Sequence, residues 1–353
     1  MPFCASLLRR RGLAVAAVIA MAAPAGAQDI APALRGGQAD LALFALSRTE
    51  PEISPLGEAL LRLQGFRHDP DGPLLQTLSR GMALMPTLRH DNNVNGGIPG
   101  RHLTIGDYRF EVTEDSRSIG AMLYGLQFAG WHSLSWGPGA RLRLQHGYLA
   151  EFEPEHGYDH FAASARACAE QPVARWTWMD LCLGGLVEDD GIGTDHSLTG
   201  TLGLRRMVET PAGFAQIGAQ LGQLVTEDYA KPLARIEATV LTPRSGLLSA
   251  RLDFGARVDG ENTLRRMATL GWTGSLAGQD LSLTLARAES DGAQLFGMPR
   301  ADTIDRATLT LHRPNFDVGF YAETRRSTLD AFNEEDFGIT VAFRTDILAW
   351  LRR

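Results

Sequence analysis

"LLSARLDFGARV", Leu247 to Val258, carries two patterns interleaved. Leu248, Ala250, Leu252, Phe254, Ala256 and Val258 occupy one set of alternate positions, and Ser249, Arg251, Asp253, Gly255 and Arg257 occupy the other. Successive side chains of an extended chain point to opposite faces, so this reads as a strand with one apolar and one charged side. "LARIEATV" splits the same way, with Ala234, Ile236, Ala238 and Val240 opposing Arg235, Glu237 and Thr239. The split recurs in "ARLRLQ", "LSLTLAR", "RATLTLHR" and "FGITVAFR". One such strand fits a soluble sandwich. A whole chain of them fits a barrel better, apolar toward lipid and charged toward a lumen.

Working outward, candidate strands fall at 82–91, 118–133, 140–152, 159–168, 177–188, 198–208, 214–226, 233–242, 247–258, 264–274, 280–289, 304–313, 317–327 and 336–347. That is fourteen, an even number. Most are about ten residues long, as a tilted strand crossing a bilayer core must be. The connections alternate in kind, with the longest links at odd positions and generally tight turns at even ones. Outer-membrane barrels show this asymmetry, with long loops outside and short turns in the periplasm. An open edge in hydrocarbon would leave backbone groups unsatisfied, so the fourteenth strand should pair with the first. Trp131, Trp136, Trp176, Trp178, Trp272 and Tyr148 lie near strand ends, where they fit either interface girdles or core positions.

Ahead of the strands, "QADLALFALSR", "LGEALLRLQGF" and "GPLLQTLSRG" have helical spacing. They predict two or three short helices between Gln28 and about Ser79, with Ser54 or Ser79 at helix ends. The first 27 residues read as an export signal: Arg9, Arg10 and Arg11, an apolar run from Leu13 to Ala23, and the small residues Ala25-Gly26-Ala27. That run is shorter than the roughly 20 residues a spanning helix needs. Cys4 lies upstream of the basic residues, away from any lipid-attachment position. The predicted division is therefore a signal peptide at 1–27, a short periplasmic helical segment at 28–80 and a barrel at 81–353.

The net charge of −7 argues against a nucleic-acid partner, since phosphate binding wants concentrated positive charge. Cys168 and Cys182 flank "AEQPVARWTWMDL". They could face each other across an antiparallel pair, and an exported compartment permits a disulfide; two buried free thiols are the alternative.

"LMPTLRHDNNVNGGIPG", Leu84 to Gly100, ends the first strand and begins a loop. Together with "LFGMPRADT", "RATLTLHR" and "VGFYAETRRSTLDAFNEEDFGITVAF", it resembles the C-terminal barrel of the surface lipoprotein assembly modifier family. The likeness spans roughly Gly81 to Phe343 and is carried by the two ends. It implies a fourteen-stranded outer-membrane barrel that helps display a client lipoprotein, behind a periplasmic domain of tetratricopeptide-like helices. Two departures stand out. The pre-barrel region is too short for two repeats of about 34 residues, and "RTDILAWLRR" replaces a terminal aromatic residue. Gly338, Val341 and Phe343 still fit the targeting signal read by the barrel-assembly machinery.

Asp91, Asn92, Asn93 and Asn95 are oxygen-rich, but hard cations usually want more carboxylates, and Asn-Gly pairs are ordinary turn formers. They read as the first external turn, with no metal expected. Arg235, Glu237, Arg251, Asp253 and Arg257 read as a charge network on the lumen wall that stiffens the barrel or sets selectivity. His146, His156, Asp159, His160, Asp195, His196 and Ser197 show no recognisable pairing of nucleophile and base. The expected protein is thus non-enzymatic and without a cofactor. It spans the outer membrane of a Gram-negative cell and acts in lipoprotein display or, alternatively, as a passive porin with an arginine-bearing lumen.

Overall fold

A computed structural model describes residues 29–343 other than 51, 99, 106, 107, 192, 296, 314 and 315. The predicted signal peptide at 1–27 and the terminal "RTDILAWLRR" lie outside the described residues. Three helices come first: α1 (Ala31–Arg35), α2 (Ala39–Thr49) and α3 (Pro55–Leu63). Pro55 opens α3, where its missing N–H costs nothing, and the Ser54 hydroxyl caps it by accepting the Gly57 N–H at 3.2 Å.

The barrel follows. Its strands are β1 (Gln76–Asp91), β4 (Ala121–Gly137), β5 (Ala140–Phe152), β6 (His160–Ala174), β7 (Thr177–Asp189), β8 (Thr194–Thr210), β9 (Gly213–Thr226), β10 (Ala230–Thr242), β11 (Gly246–Gly255), β12 (Thr263–Leu276), β13 (Gln279–Leu295), β14 (Met298–His312), β15 (Phe316–Ser327) and β16 (Glu334–Phe343). Consecutive strands pair antiparallel, and β1 pairs with both β4 and β16, which closes the sheet. The closing seam sets Leu88 opposite Ile339 and Thr87 opposite Thr340. The predicted closed barrel of fourteen strands is therefore present.

Several boundaries differ from the sequence reading; β6 runs on to Ala174, β13 runs on to Leu295 and β14 starts at Met298. "QTLSRG", expected to be helical, forms the start of β1 because its backbone pairs with β4 from Gln76 opposite Ser135 onward. Ser79 is therefore a strand residue, and the barrel begins at Gln76 rather than at 81. Residues 118–120 belong to the loop before β4. The long first link also contains a small hairpin of β2 (His102–Ile105) and β3 (Tyr108–Glu111), which the sequence reading missed.

Ladder partners share a face, so the register sorts side chains into two shells. Leu181, Leu202 and Leu221 form one row across β7, β8 and β9 and are 53–69% exposed. Leu126, Ile236, Leu252, Leu283, Phe320 and Ile339 continue this exposed belt around the wall. A belt of large apolar residues on the outside of a closed barrel is a surface built for hydrocarbon. The other shell points into the lumen and holds most of the strand charges.

Candidate functional site

The helical segment sits in the lumen toward its short-turn end. Helix α2 buries Leu41, Ala42, Leu43, Phe44, Ala45 and Leu46. These pack with lumen-facing Trp178, Met207, Leu241 and Leu247 into one apolar cluster. Phe44 meets Trp176, in the β6–β7 turn, at a ring separation of 5.0 Å and Phe214 of β9 at 5.7 Å. The Gly139 N–H, in the tight turn after β4, donates to the Gly65 carbonyl at 2.9 Å. The helices thus form a plug seated within the rim rather than a domain hanging below it.

A buried charge cluster fixes this plug. Asp40 of α2 accepts from Arg141 Nη2 of β5 at 2.8 Å and from Arg205 Nη1 of β8 at 2.5 Å. Both guanidiniums also donate to Glu170 of β6, at 2.6 and 2.8 Å, and Arg143 pairs with the same carboxylate. Burial alone would push the Asp40 carboxyl up, but Arg141 and Arg205 more than reverse this and hold it well below the usual carboxylate range. At the edge of the plug, Arg35 pairs with Asp280 at 2.8 Å and Arg48 with Glu209 at 2.9 Å. None of these ion pairs was legible in the sequence, since each joins a helix residue or a strand end to partners at least 27 residues away. The one available cue was Asp40, a lone acid at the start of an apolar helix.

Of the predicted lumen network, Arg235, Glu237, Arg251 and Asp253 do lie on the inner face. Arg235 Nε approaches Asp253 at 2.5 Å, and Arg251 Nε lies 2.9 Å from the same carboxylate. Glu237 stands opposite Arg251 in register, but Arg251 turns to Asp253, leaving Glu237 without an ion pair among the described residues. Arg257 corrects the expectation: β11 ends at Gly255, and Arg257 pairs with Asp259 at 3.0 Å in the following loop.

A turn forms over Asp91 to Gly97, at the long-loop end of β1. Asp91 Oδ1 accepts the Asn93 N–H at 2.8 Å, and Asn95 Oδ1 accepts the Gly97 and Ile119 N–H groups at 3.2 and 2.9 Å. Asp91 also pairs with Arg89, which reaches Glu151. His160 lies between Glu151 and Glu188 at 3.3 and 3.0 Å, completing a charged rim at the outer end. Cys168 and Cys182 are ladder partners joined by a disulfide on the lumen wall. Period two separates His196, which faces outward, from its neighbours Asp195 and Ser197, which face the lumen. Among the aromatic residues, Trp136, Trp272 and Tyr148 face outward. Trp176 and Trp178 lie under the plug and Trp131 faces the lumen, so those three are not girdle residues.

Above the plug lies a cavity of about 720 Å³ lined by β4 to β12, with Gln127, Gln145, Gln220, Ser164, Thr199 and Arg166 among its walls. Most of the lining is uncharged at this depth, Arg166, Arg235 and Asp253 being its charged members, with further charge at the plug below and the rim above.

No protein-family model matches the chain, and no curated protein matches it. Solved structures similar to it include Pseudomonas putida OprB, at 9% identity and a TM-score of 0.43, covering 75% of this chain and 94% of that one. Pseudomonas aeruginosa OccK2 (OpdF), at 9% and 0.38, covers 75% and 97%. A BenF-like porin from Pseudomonas fluorescens Pf-5, at 7% and 0.38, covers 75% and 98%. Scores this low carry no weight for function, and the architecture rests on the closed ladder and the outward apolar belt. The fold is that of a transmembrane β-barrel.

Proposed function

We propose that this protein is a passive solute channel of the bacterial outer membrane, restricted at its periplasmic mouth by its own N-terminal helices. The observation that carries this reading is the seating of α2 inside the rim, bound through Asp40 to Arg141 and Arg205, beneath a lumen cavity of about 720 Å³. The partner is the lipid bilayer, into which the barrel-assembly machinery would place it after signal-directed export. No chemical step is assigned.

The assembly-modifier resemblance leads to a different role, the display of a lipoprotein. That role needs a helical surface on which a client is held. Here the apolar face of α2 is buried against the barrel, which favours the channel. The test is single-channel recording from the purified full chain in planar bilayers, alongside a variant with the plug released. Stepwise currents that grow on release support the channel. Absence of steps in both would sink it, and surface-protease mapping of lipoproteins in cells lacking the gene would then test display.

A further inference from the structure

Arg166 projects into the cavity from the middle of β6. The register places Trp131, Gln145, Arg166, Gly184 and Thr199 side by side on five successive strands, all on the inner face. Other lumen-facing arginines pair with carboxylates, as Arg143 does with Glu170, Arg235 with Asp253, Arg306 with Glu323 and Arg325 with Glu334. Arg166 is exposed and has no carboxylate partner among the described residues. The wall beside it is stripped back: Gly184 follows in its row, and Gly147 and Ser164 sit one rung outward. A guanidinium with five N–H donors is thus left to a cavity with room in front of it.

Two strands away, Trp131 is 43% exposed although it faces the lumen rather than the apolar belt. Its indole lies over Gly81, filling the space that a side chain there would take. Adjacent strands are about 4.8 Å apart, so the Trp131 and Arg166 backbones are separated by about 10 Å, with the Gln145 amide between them. An aromatic face, an amide and an unpaired guanidinium in one row make three different demands on a ligand. They ask for a flat ring, a hydrogen-bonding group and an anionic end.

We propose that this row is a binding site for a small carboxylate carrying a ring, with the carboxylate on Arg166, the ring on Trp131 and a polar group on Gln145. The proposal deepens the channel reading and rests on it in one respect: a solute must reach the lumen. Binding, however, is measurable whether or not the barrel conducts.

The experiment is equilibrium binding of glucuronate and of benzoate to the detergent-solubilised full chain, with glucose as the uncharged control. It compares wild type with Arg166→Gln, Arg166→Lys and Trp131→Ala. Arg166 has no ion-pair partner among the described residues to orphan, so Arg166→Gln should fold normally, as checked by heat-modifiable migration on gels. The wild type should bind at least one carboxylate more tightly than glucose. Arg166→Gln should lose about tenfold or more, the scale of a lost charge-assisted hydrogen bond, Arg166→Lys should lose less, and Trp131→Ala should weaken the same ligand. Equal binding by wild type and Arg166→Gln, or no binding of either carboxylate by wild type, would overturn the site. Swelling of glucose-loaded liposomes tests the channel reading separately, so one can fail without the other.

Discussion

Cys168 and Cys182 show how far single residues could be read. Their spacing around a turn, and the exported context, left a disulfide and two free thiols both open, and the register then makes them direct partners. In the chain-entropy picture a loop of this size contributes up to about 3 kcal/mol. The Cys168→Ser/Cys182→Ser double variant should therefore unfold at lower urea, by an amount within that bound. Alkylation of the unreduced, unfolded wild type should label neither cysteine by mass spectrometry. Asp40 makes a second residue-scale prediction. Its folded pKa is depressed, so its contribution to plug docking is present above the unfolded value near 4 and is lost as pH falls toward the lower folded value. Conductance should be the same at pH 7 and pH 5, rising only below about pH 4. A rise near pH 6 would contradict the assignment to Asp40.

At the scale of elements, the strands were legible and the plug was not. Alternation marks each barrel strand because lipid and lumen impose opposite demands on neighbouring residues, as in β10 and β11. The helices showed their spacing, but nothing local told where α2 docks. Its buried face meets Trp178, Met207 and Leu241, which come from three strands distant in the chain. "QTLSRG" misled because its apolar spacing suits a helix, while the unpaired edge of β4 requires a strand. Breaking the Asp40 anchor should expose the role of the plug. Asp40→Ala leaves Arg141 and Arg205 buried with Glu170 alone, a change that typically costs about 3–5 kcal/mol. Limited proteolysis should then cut within residues 29–70 sooner than in wild type, and single-channel conductance should increase while the barrel still migrates as a folded species.

The molecule as a whole has two solvents, and one residue step moves a side chain from one to the other. Leu202 points to lipid and Thr199 lines the cavity on the same strand. Leu202→Arg should destabilise the barrel by about 2–4 kcal/mol if it lies near the bilayer midplane. Thr199→Arg should cost much less, with urea unfolding in lipid vesicles as the readout. The plug adds a consequence for the order of assembly. Its seat is built from β5 to β13, a surface that is complete only once β13 has paired with β12. Although α1 to α3 are the first described residues of the chain, they can dock only after most of the barrel strands have paired. A helical segment that stays accessible in the periplasm would therefore mark a barrel whose strands have not yet assembled through β13.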